Sequence, residues 1–416
     1  MAGTCDVAII GAGAAGLGAA RALSGRGLDV VLIEARDRFG GRAHTVMLGD
    51  GLPLDRGCGW LHSADRNPLA PLVEAAGLAI DRTRPAWSRQ SFDIGFPKAE
   101  QEAFAAAFDA FEERLDAAAA AGRDASAADY FEPGGRWNPL MDAVSSYYNG
   151  TEYDRVSVLD YARYVDTGVN WRVRDGYGAG LLALASSDAR SISGCAVSGV
   201  ALTAEGVAVE TARGMLRARR AILTVPTPHL ASGRVSLPRE AADKADLAAG
   251  LPLGLANKVF LALDAADVEA LPADGHLFGR TNRRETGSYH LRPFGRPYIE
   301  CFLGGRHARA LEEAGEGAAG AFAVAELTAL LGSDLGRRLR VLGETAWGQD
   351  PHALGSYSHA EPGRAEDRSA LAQPVADRLF FAGEATHPQA FSTAHGAWET
   401  GLRAASEVLG SLGSPR

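Results

Sequence analysis

The apolar positions of this chain divide it into short strand-like runs and longer helix-like stripes. Residues 6–10 form an apolar, β-branched run that reads as a strand buried on both faces, and a glycine turn follows it. A helix is predicted to begin near Ala14, with Ala15, Ala19, Ala22 and Leu23 as a small-residue packing face. Residues 30–33 form a second buried strand that ends at Glu34. Residues 52–62 read as a short strand and turn, and 67–77 as a helix with Asn67 as its cap and Pro68 in its first position. A long amphipathic helix over 98–121 places Phe104, Phe108, Phe111 and Leu115 on one face, where they read as core. A further helix covers 138–149. Runs at 192–200, 206–211 and 218–225 read as strands joined by short turns, and Pro226-Thr227-Pro228 ends that block. Strands are predicted at 256–263 and 298–303, a helix at 321–331, a strand-like run at 340–347, a short buried strand at 378–382 and a closing helix at 394–409. No internal repeat is apparent. The order predicts an α/β fold with interrupted domains. One is assembled from residues 1–80, 175–252 and 343–416, and the other from 81–174 and 253–342.

The first glycine turn carries chemistry. Gly11 permits the tight turn, Gly13 lets backbone approach a pyrophosphate, and Gly16 lets the helix pack close to the strand. The free N–H groups at Ala14 and Ala15 and the positive end of the helix dipole then face phosphate. Glu34, at the end of the second strand, is placed to accept hydrogen bonds from an adenosine ribose, which favours FAD or NAD over NADP. Ala35 and the segment Arg36-Asp37-Arg38-Phe39-Gly40-Gly41-Arg42 follow at once. Its two glycines bring backbone to the phosphates and Arg42 supplies a forked cation. This segment resembles the GG-R element of the flavin-containing amine oxidases. Near the other end, Leu379-Phe380-Phe381-Ala382-Gly383-Glu384 is a buried strand ending in glycine and acid, and a helix begins after Ser392-Thr393-Ala394. Donors at that helix start suit the flavin N1–C2=O edge. The two segments together indicate FAD closed in by both ends of the chain.

Composition narrows the partners. With 416 residues, 46% hydrophobic and 22% charged, the chain is an ordinary globular sequence able to bury a large core. Its net charge of −9 argues against nucleic acid and anionic membranes. No uninterrupted apolar run has the length of about 18 residues that a membrane helix needs, and no secretory signal is read at the start. Cys5, Cys58, Cys195 and Cys301 are scattered, without metal spacing, and read as reduced core residues of a cytoplasmic protein. No metal site is expected.

Three further segments extend the resemblance to most of the chain. Residues 51–63 with 67–72 are similar to polyamine oxidases of the plant peroxisomal type. Asn257-Lys258-Val259 resembles the family's lysine strand, and Trp347-Gly348-Gln349-Asp350-Pro351 with Gly355-Ser356-Tyr357-Ser358 resembles the segment lining the flavin ring. The Arg174-Asp175-Gly176-Tyr177 turn fits the same pattern. The resemblance implies a Rossmann-like FAD-binding domain with an interleaved α+β substrate-binding domain, an amine oxidase/p-hydroxybenzoate hydroxylase-like architecture. It implies that Lys258 holds a water against flavin N5 and assists reaction with oxygen, and that His62 lies near the reacting amine. Tyr357 would form one wall of an aromatic slot, with Trp60 and Trp347 close by, and Thr393 stands where monoamine oxidases carry a facing tyrosine. Ser356 stands where covalently flavinylated members carry cysteine, which implies that the FAD is held noncovalently. Val197, Trp347, Thr393 and Ala394 join Gly11, Gly13, Ala14, Ala15, Gly16, Glu34, Ala35, Arg36, Gly41, Arg42, Gly383 and Glu384 as implied cofactor contacts.

The implied reaction is oxidation of an amine at the carbon next to nitrogen, by hydride transfer to flavin, with oxygen as acceptor. It yields an aldehyde, a shorter amine and hydrogen peroxide, a step of polyamine catabolism. Glu152, Asp154 and Asp166 are candidate acids for remote ammonium groups. Oxidation of another amine remains open, as does that of an L-amino acid using Arg89, Arg163, Arg172 or Arg292. An FAD-binding protein without turnover also remains open. A carotenoid-type desaturase would want membrane-facing apolar surface. A histone-tail demethylase would want an inserted helical hairpin and a chromatin module, for which 416 residues leave no room.

Overall fold

The apolar run that opens the chain becomes an inner strand of a seven-stranded sheet. The structure, a computed structural model, describes residues 3–49, 51–87, 90–186 and 188–413. The chain divides into two units: Met1–Arg82, Arg163–Leu253 and Arg364–Arg416 form the first, Thr83–Ala162 and Gly254–Gly363 the second.

The strands of the first unit are β1 (Gly3–Ile10), β2 (Val30–Ile33), β3 (Thr45–Met47), β4 (Pro53–Asp55), β5 (Ile80–Asp81), β6 (Arg172–Val173), β7 (Arg190–Ile192), β8 (Val197–Leu202), β9 (Val207–Thr211) and β10 (Gly214–Leu223), with a last strand at Leu379–Phe381. The main sheet runs β7-β2-β1-β10-β9-β8. β1 pairs in parallel with β2 and β10, placing Val7 opposite both Val30 and Arg220. Flanked on both sides, its Val7, Ala8 and Ile9 are fully buried, which is why the run is continuously apolar. One edge of β10 serves two partners. Its first half, through Ala218, pairs antiparallel with β9, and Ala221 to Leu223 pair in parallel with Leu379–Phe381. This arrangement brings the first, middle and last segments of the chain into one sheet.

The first helix, Ala14–Leu23, packs on the last, Ala394–Leu412, by glycine contact. A methyl group placed on Gly401 would lie 2.0 Å from the Ala15 carbonyl oxygen, and one on Gly18 would lie 2.8 Å from the Trp398 carbonyl oxygen. The two backbones therefore touch, and Trp398, only 1% exposed, fills the core beside them.

The second unit holds an antiparallel sheet of β11 (Ala256–Ala262), β12 (Gly275–Phe278), β13 (Ser288–Leu291), β14 (Tyr298–Gly304) and β15 (Arg340–Glu344), ordered β12-β13-β14-β11-β15. Phe111 and Leu115 of the helix Lys98–Ala120 are fully buried in an aromatic cluster with Phe96, Trp137 and Tyr153, as the amphipathic stripe predicts. Both units combine helices with a sheet, in keeping with the α/β fold that the order of elements predicts.

Several expected elements shift for identifiable reasons. The run 192–200 is two strands, because the chain turns at Gly194 and Cys195 to bond Glu34: Glu34 N–H donates to Ile192 O, and Cys195 N–H to Glu34 O. The helix expected over 67–77 spans Leu69–Ala75, since the Asn67 side chain accepts from Leu69 N–H and Pro68 becomes the cap. The last helix runs three residues beyond 409. The short strands β12 and β13 and the amphipathic helix Gly305–Ala314 stand outside the elements that the sequence pattern predicts. The division also falls elsewhere than at 175 and 343. Residues 163–174 belong to the first unit, where Trp171 bridges Leu61 and β6 pairs with β5. Residues 343–363 belong to the second, tied to β11 through Thr345 and Trp347. Among the described residues no single helix is long and apolar enough to cross a membrane.

Gly401→Ala is expected to lower stability by roughly 1–3 kcal/mol, because the added methyl has backbone rather than a flexible side chain in its way. Thermal unfolding measures this, and an unchanged Tm would show that the helices can separate without cost.

Candidate functional site

In the first unit, the cofactor-type segments converge at the end of β1. Gly11 turns with φ +103°, and Thr224, following β10, donates its hydroxyl to the carbonyls of Ile10 (2.9 Å) and Gly11 (3.1 Å). A methyl on Gly16 would lie 1.9 Å from the Gly11 carbonyl oxygen, so the helix can start this close to the strand only with glycine there. Gly40 N–H donates to Ala12 O, and the Cα of Gly13 lies 3.1 Å from where a Gly41 methyl would stand. The two glycine turns thus meet backbone to backbone. Gly13 itself has room, since a methyl placed there would have Gly41 Cα, at 3.9 Å, as its nearest heavy atom. No side chain among the described residues caps the first helix, whose N-cap is Gly13. An uncapped helix start beside unfilled backbone space fits a pyrophosphate.

Glu34 is 4% exposed and is oriented by backbone. Its Oε2 accepts from Ala12 N–H at 2.8 Å and its Oε1 from Arg36 N–H at 2.9 Å. Each carboxylate oxygen keeps a second lone pair for a ribose hydroxyl. Ala35 and Arg36 run beside residues 192–195, and Val197 begins β8 just beyond them. Arg38 donates to Gly41 O at 2.9 Å, holding the second glycine turn.

Arg42 pairs with Glu384 at 2.9 Å, joining the two cofactor segments across 342 residues of sequence. The other Glu384 oxygen accepts from Ser392 N–H at 3.0 Å. Beside it, Gly383 has no heavy atom within 4 Å of where a methyl would stand, and its N–H donates to Thr400 Oγ1. The open space at Gly383 next to the start of a 19-residue helix suits a planar ring edge. Thr393 caps that helix, accepting from Gly396 N–H at 3.0 Å and donating to Ala390 O at 2.6 Å. Its hydroxyl is engaged by backbone, a use that the expectation of a slot wall did not include. Ala394 is the first helical residue.

His62 lies in the same unit. Its Nδ1 is 2.7 Å from Asn170 Oδ1, so Nδ1 carries the proton and Nε2 the lone pair. Asn67 holds the His62 carbonyl at 3.0 Å. Burial pushes the His62 pKa down, opposed by the Asn170 bond and the charge of Asp166, so the ring is neutral. His395, in the first turn of the last helix, is a neighbour that sequence reasoning missed. Burial first, and then the nearness of His62, push it down to about 4. Beyond it, His387 pairs with Glu399 at 2.9 Å. Trp60 is covered by the Arg172 guanidinium at 4.7 Å from its ring centre.

In the second unit, Lys258 is 5% exposed on β11, and its ammonium lies 2.6 Å from Glu300 on β14. The neighbouring Asn257 accepts from Trp347 N–H at 3.0 Å and donates to Glu312 at 2.7 Å, and Glu312 also accepts from Gly348 N–H. Trp347 is 6% exposed within this unit's apolar core. The Ser356 hydroxyl bridges the N–H and carbonyl of Ala256, each at 2.8 Å, and Tyr357 donates its hydroxyl to Tyr147 O. Glu152 accepts from Arg306 N–H at the start of the helix Gly305–Ala314, and Asp154 pairs with Arg306 at 2.6 Å. Among the described residues no cluster of side chains could hold a metal ion.

Two outcomes follow from this geometry. Gly13→Ala is expected to leave the stability of the FAD-free protein within about 0.5 kcal/mol of wild type, because its methyl meets only Gly41 Cα. It should weaken FAD binding by about tenfold or more, measured by fluorescence titration. Equal affinity would remove the pyrophosphate from this turn. The second concerns acid. His395 binds its proton less readily folded (about 4) than unfolded (6.5), so its contribution is complete above pH 6.5 and is lost as pH falls toward 4. His395→Asn should flatten this limb, worth on the order of 3 kcal/mol, in denaturant titrations between those pH values. An unchanged slope would show that His395 is charged in the native protein.

Among curated proteins, this chain is 29% identical to polyamine oxidase 4 of Oryza sativa subsp. japonica, with 97% of this chain and 88% of that protein covered. It is 30% identical to polyamine oxidase 2 of Arabidopsis thaliana, with 97% and 87% covered. Among solved structures, wild-type putrescine oxidase bound to putrescine matches with a TM-score of 0.78 at 22% identity, over 99% of this chain and 100% of that one. A family model described as flavin containing amine oxidoreductase matches residues 14–409, nearly the whole chain, which therefore belongs to that family and takes FAD as its cofactor.

Proposed function

We propose that this flavoprotein is an oxidase of polyamine-type amines with oxygen as its electron acceptor. The observation that carries the reading is His62, oriented at Nδ1 by Asn170, pushed toward its neutral form by burial, and set near His395 at the start of the last helix. Only a neutral amine has the nitrogen lone pair that drives loss of hydride from the adjacent carbon. An uncharged imidazole that accepts a hydrogen bond from the amine N–H suits that form better than a cation would. Bound FAD supplies the two-electron acceptor for this step. The resulting imine is hydrolysed by water to an aldehyde and a shorter amine. Lys258 serves the return of electrons to oxygen, which gives hydrogen peroxide. Ser356 has no thiol to bond a flavin, in keeping with noncovalent FAD.

The charged groups favour an amine over an amino acid. Arg163 bonds Glu366 and Ala365 O, Arg172 faces Asp81 and covers Trp60, and Arg292 bonds Leu271 O and Gly295 O. Each is engaged within the protein, and Arg89 lies outside the described residues. Of the acids considered for a remote ammonium, Glu152 and Asp154 share Arg306. Asp166 is the exposed carboxylate whose charge reaches His62, and we assign that role to it. The relatives named as polyamine oxidases support the same substrate class.

Anaerobic mixing with spermine, spermidine, putrescine, an aromatic monoamine and an L-amino acid tests the reading. Bleaching of the oxidised flavin band by the polyamines is expected, and bleaching by the amino acid alone would overturn it. No bleaching by any of them would leave an FAD protein without turnover. Lys258→Met should slow reoxidation of pre-reduced flavin by oxygen by about tenfold or more, equivalent to roughly 1.4 kcal/mol of barrier. An unchanged rate would remove Lys258 from this step.

A further inference from the structure

Lys258 and Glu300 form an ion pair inside the second unit, their side chains 7% and 11% exposed and their charged atoms 2.6 Å apart. The strand register explains the pair. Lys258 stands opposite Phe302 and Phe260 opposite Glu300, so Glu300 is the diagonal neighbour of Lys258 on the same face of the sheet. The Phe302 ring lies under the ammonium at 4.9 Å. The lysine backbone is fixed as well, since Lys258 N–H donates to Thr345 Oγ1 at 2.8 Å and Thr345 N–H donates to Lys258 O at 2.9 Å. A buried lysine without an anion gives up its proton readily; one held against a carboxylate keeps it.

We infer that Glu300 is a positioning residue for oxygen reduction, holding Lys258 protonated and in one place. This rests on the role of Lys258 proposed above. A fixed cation stabilises the negative charge that develops on oxygen as it accepts electrons, provided the cation survives burial and does not swing away. Glu300 supplies both conditions through one short bond. Titratable and polar groups near the pair come from the neighbouring strands. On β13, His290 stands opposite Glu300 and pairs with Asp274 at 3.4 Å. Next to Glu300 in the chain, the Cys301 thiol is pushed far up by burial and stays uncharged. On β15, Glu344 stands opposite Val259, and just beyond that strand Thr345 contributes a hydroxyl and no charge.

The test uses the FAD-loaded enzyme for kinetics and both FAD-loaded and FAD-free protein for stability. After anaerobic reduction, wild-type reoxidation by oxygen should be nearly flat from roughly pH 6 to 9, because the short, buried ion pair with Glu300 holds the lysine in place. Glu300→Gln should make the rate fall with rising pH across that range, by about tenfold at the alkaline end, while the rate of flavin reduction by saturating amine changes by less than about twofold. Glu300→Asp should restore most of the flat profile. In the Tm values, Lys258→Met strands a buried carboxylate, so the double variant Lys258→Met/Glu300→Gln should be more stable than Lys258→Met alone. Additive losses in Tm would show that the pair does not form and would overturn the inference. A Glu300→Gln enzyme with the wild-type reoxidation profile, beside a slow Lys258→Met enzyme, would overturn it and leave the role of Lys258 intact. A Lys258→Met enzyme that reoxidises normally would overturn the role of Lys258 itself.

Discussion

The cofactor cradle of the first unit depends on places where backbone meets backbone without an intervening side chain. The helix after β1 starts against the Gly11 carbonyl at Gly16, the second glycine turn touches the first at Gly41, and the last helix reaches the first at Gly18 and Gly401. At Gly16, Gly18 and Gly401 a Cβ would force the facing backbone to move, and at Gly41 it would crowd Gly13. Together they hold two helix starts and two strand ends within reach of one extended ligand. The cost of so much glycine is chain entropy, which the surrounding apolar core, with Trp398 and the fully buried β1, offsets by burial.

Charges in this protein are buried in pairs or against backbone, and each pairing has a consequence for the site. Glu384 would be costly inside the first unit without Arg42, and Glu34 without the N–H groups of Ala12 and Arg36. In the second unit Glu326, 4% exposed, accepts from Thr286, Gly287 and Tyr289, and Lys258 rests on Glu300. Two histidines of the first unit follow the opposite course. Burial pushes the pKa values of His62 and His395 down, which favours the uncharged imidazole of each.

Polar side chains also stand in for secondary structure where the strands stop. Asn257 gathers Trp347, Thr345 and Glu312 around the end of β11, and the Ser356 hydroxyl completes both hydrogen bonds of Ala256. Thr224 does the same for the Gly11 turn. None of these residues contacts a ligand by necessity; each fixes backbone on which such residues are carried.

Elements with a local signal are legible in the chain alone. The strand at β1, the helix from Ala14, β2 through Ile33 and the stripe of Phe111 and Leu115 can all be read there, because a buried strand and an amphipathic helix write their periods into neighbouring residues. The glycine turns and Glu34 are legible for the same reason, being bound to their strands by spacing. Relations between distant residues come from the folded arrangement and from nothing else. Arg42 finds Glu384, Asn170 sets the tautomer of His62, His395 settles beside it, Arg306 takes up Glu152 and Asp154, and Glu300 lies diagonal to Lys258. No periodicity records such pairs. They arise from strand register and from segments far apart in the chain entering one sheet or one core, and burial then selects which charges survive.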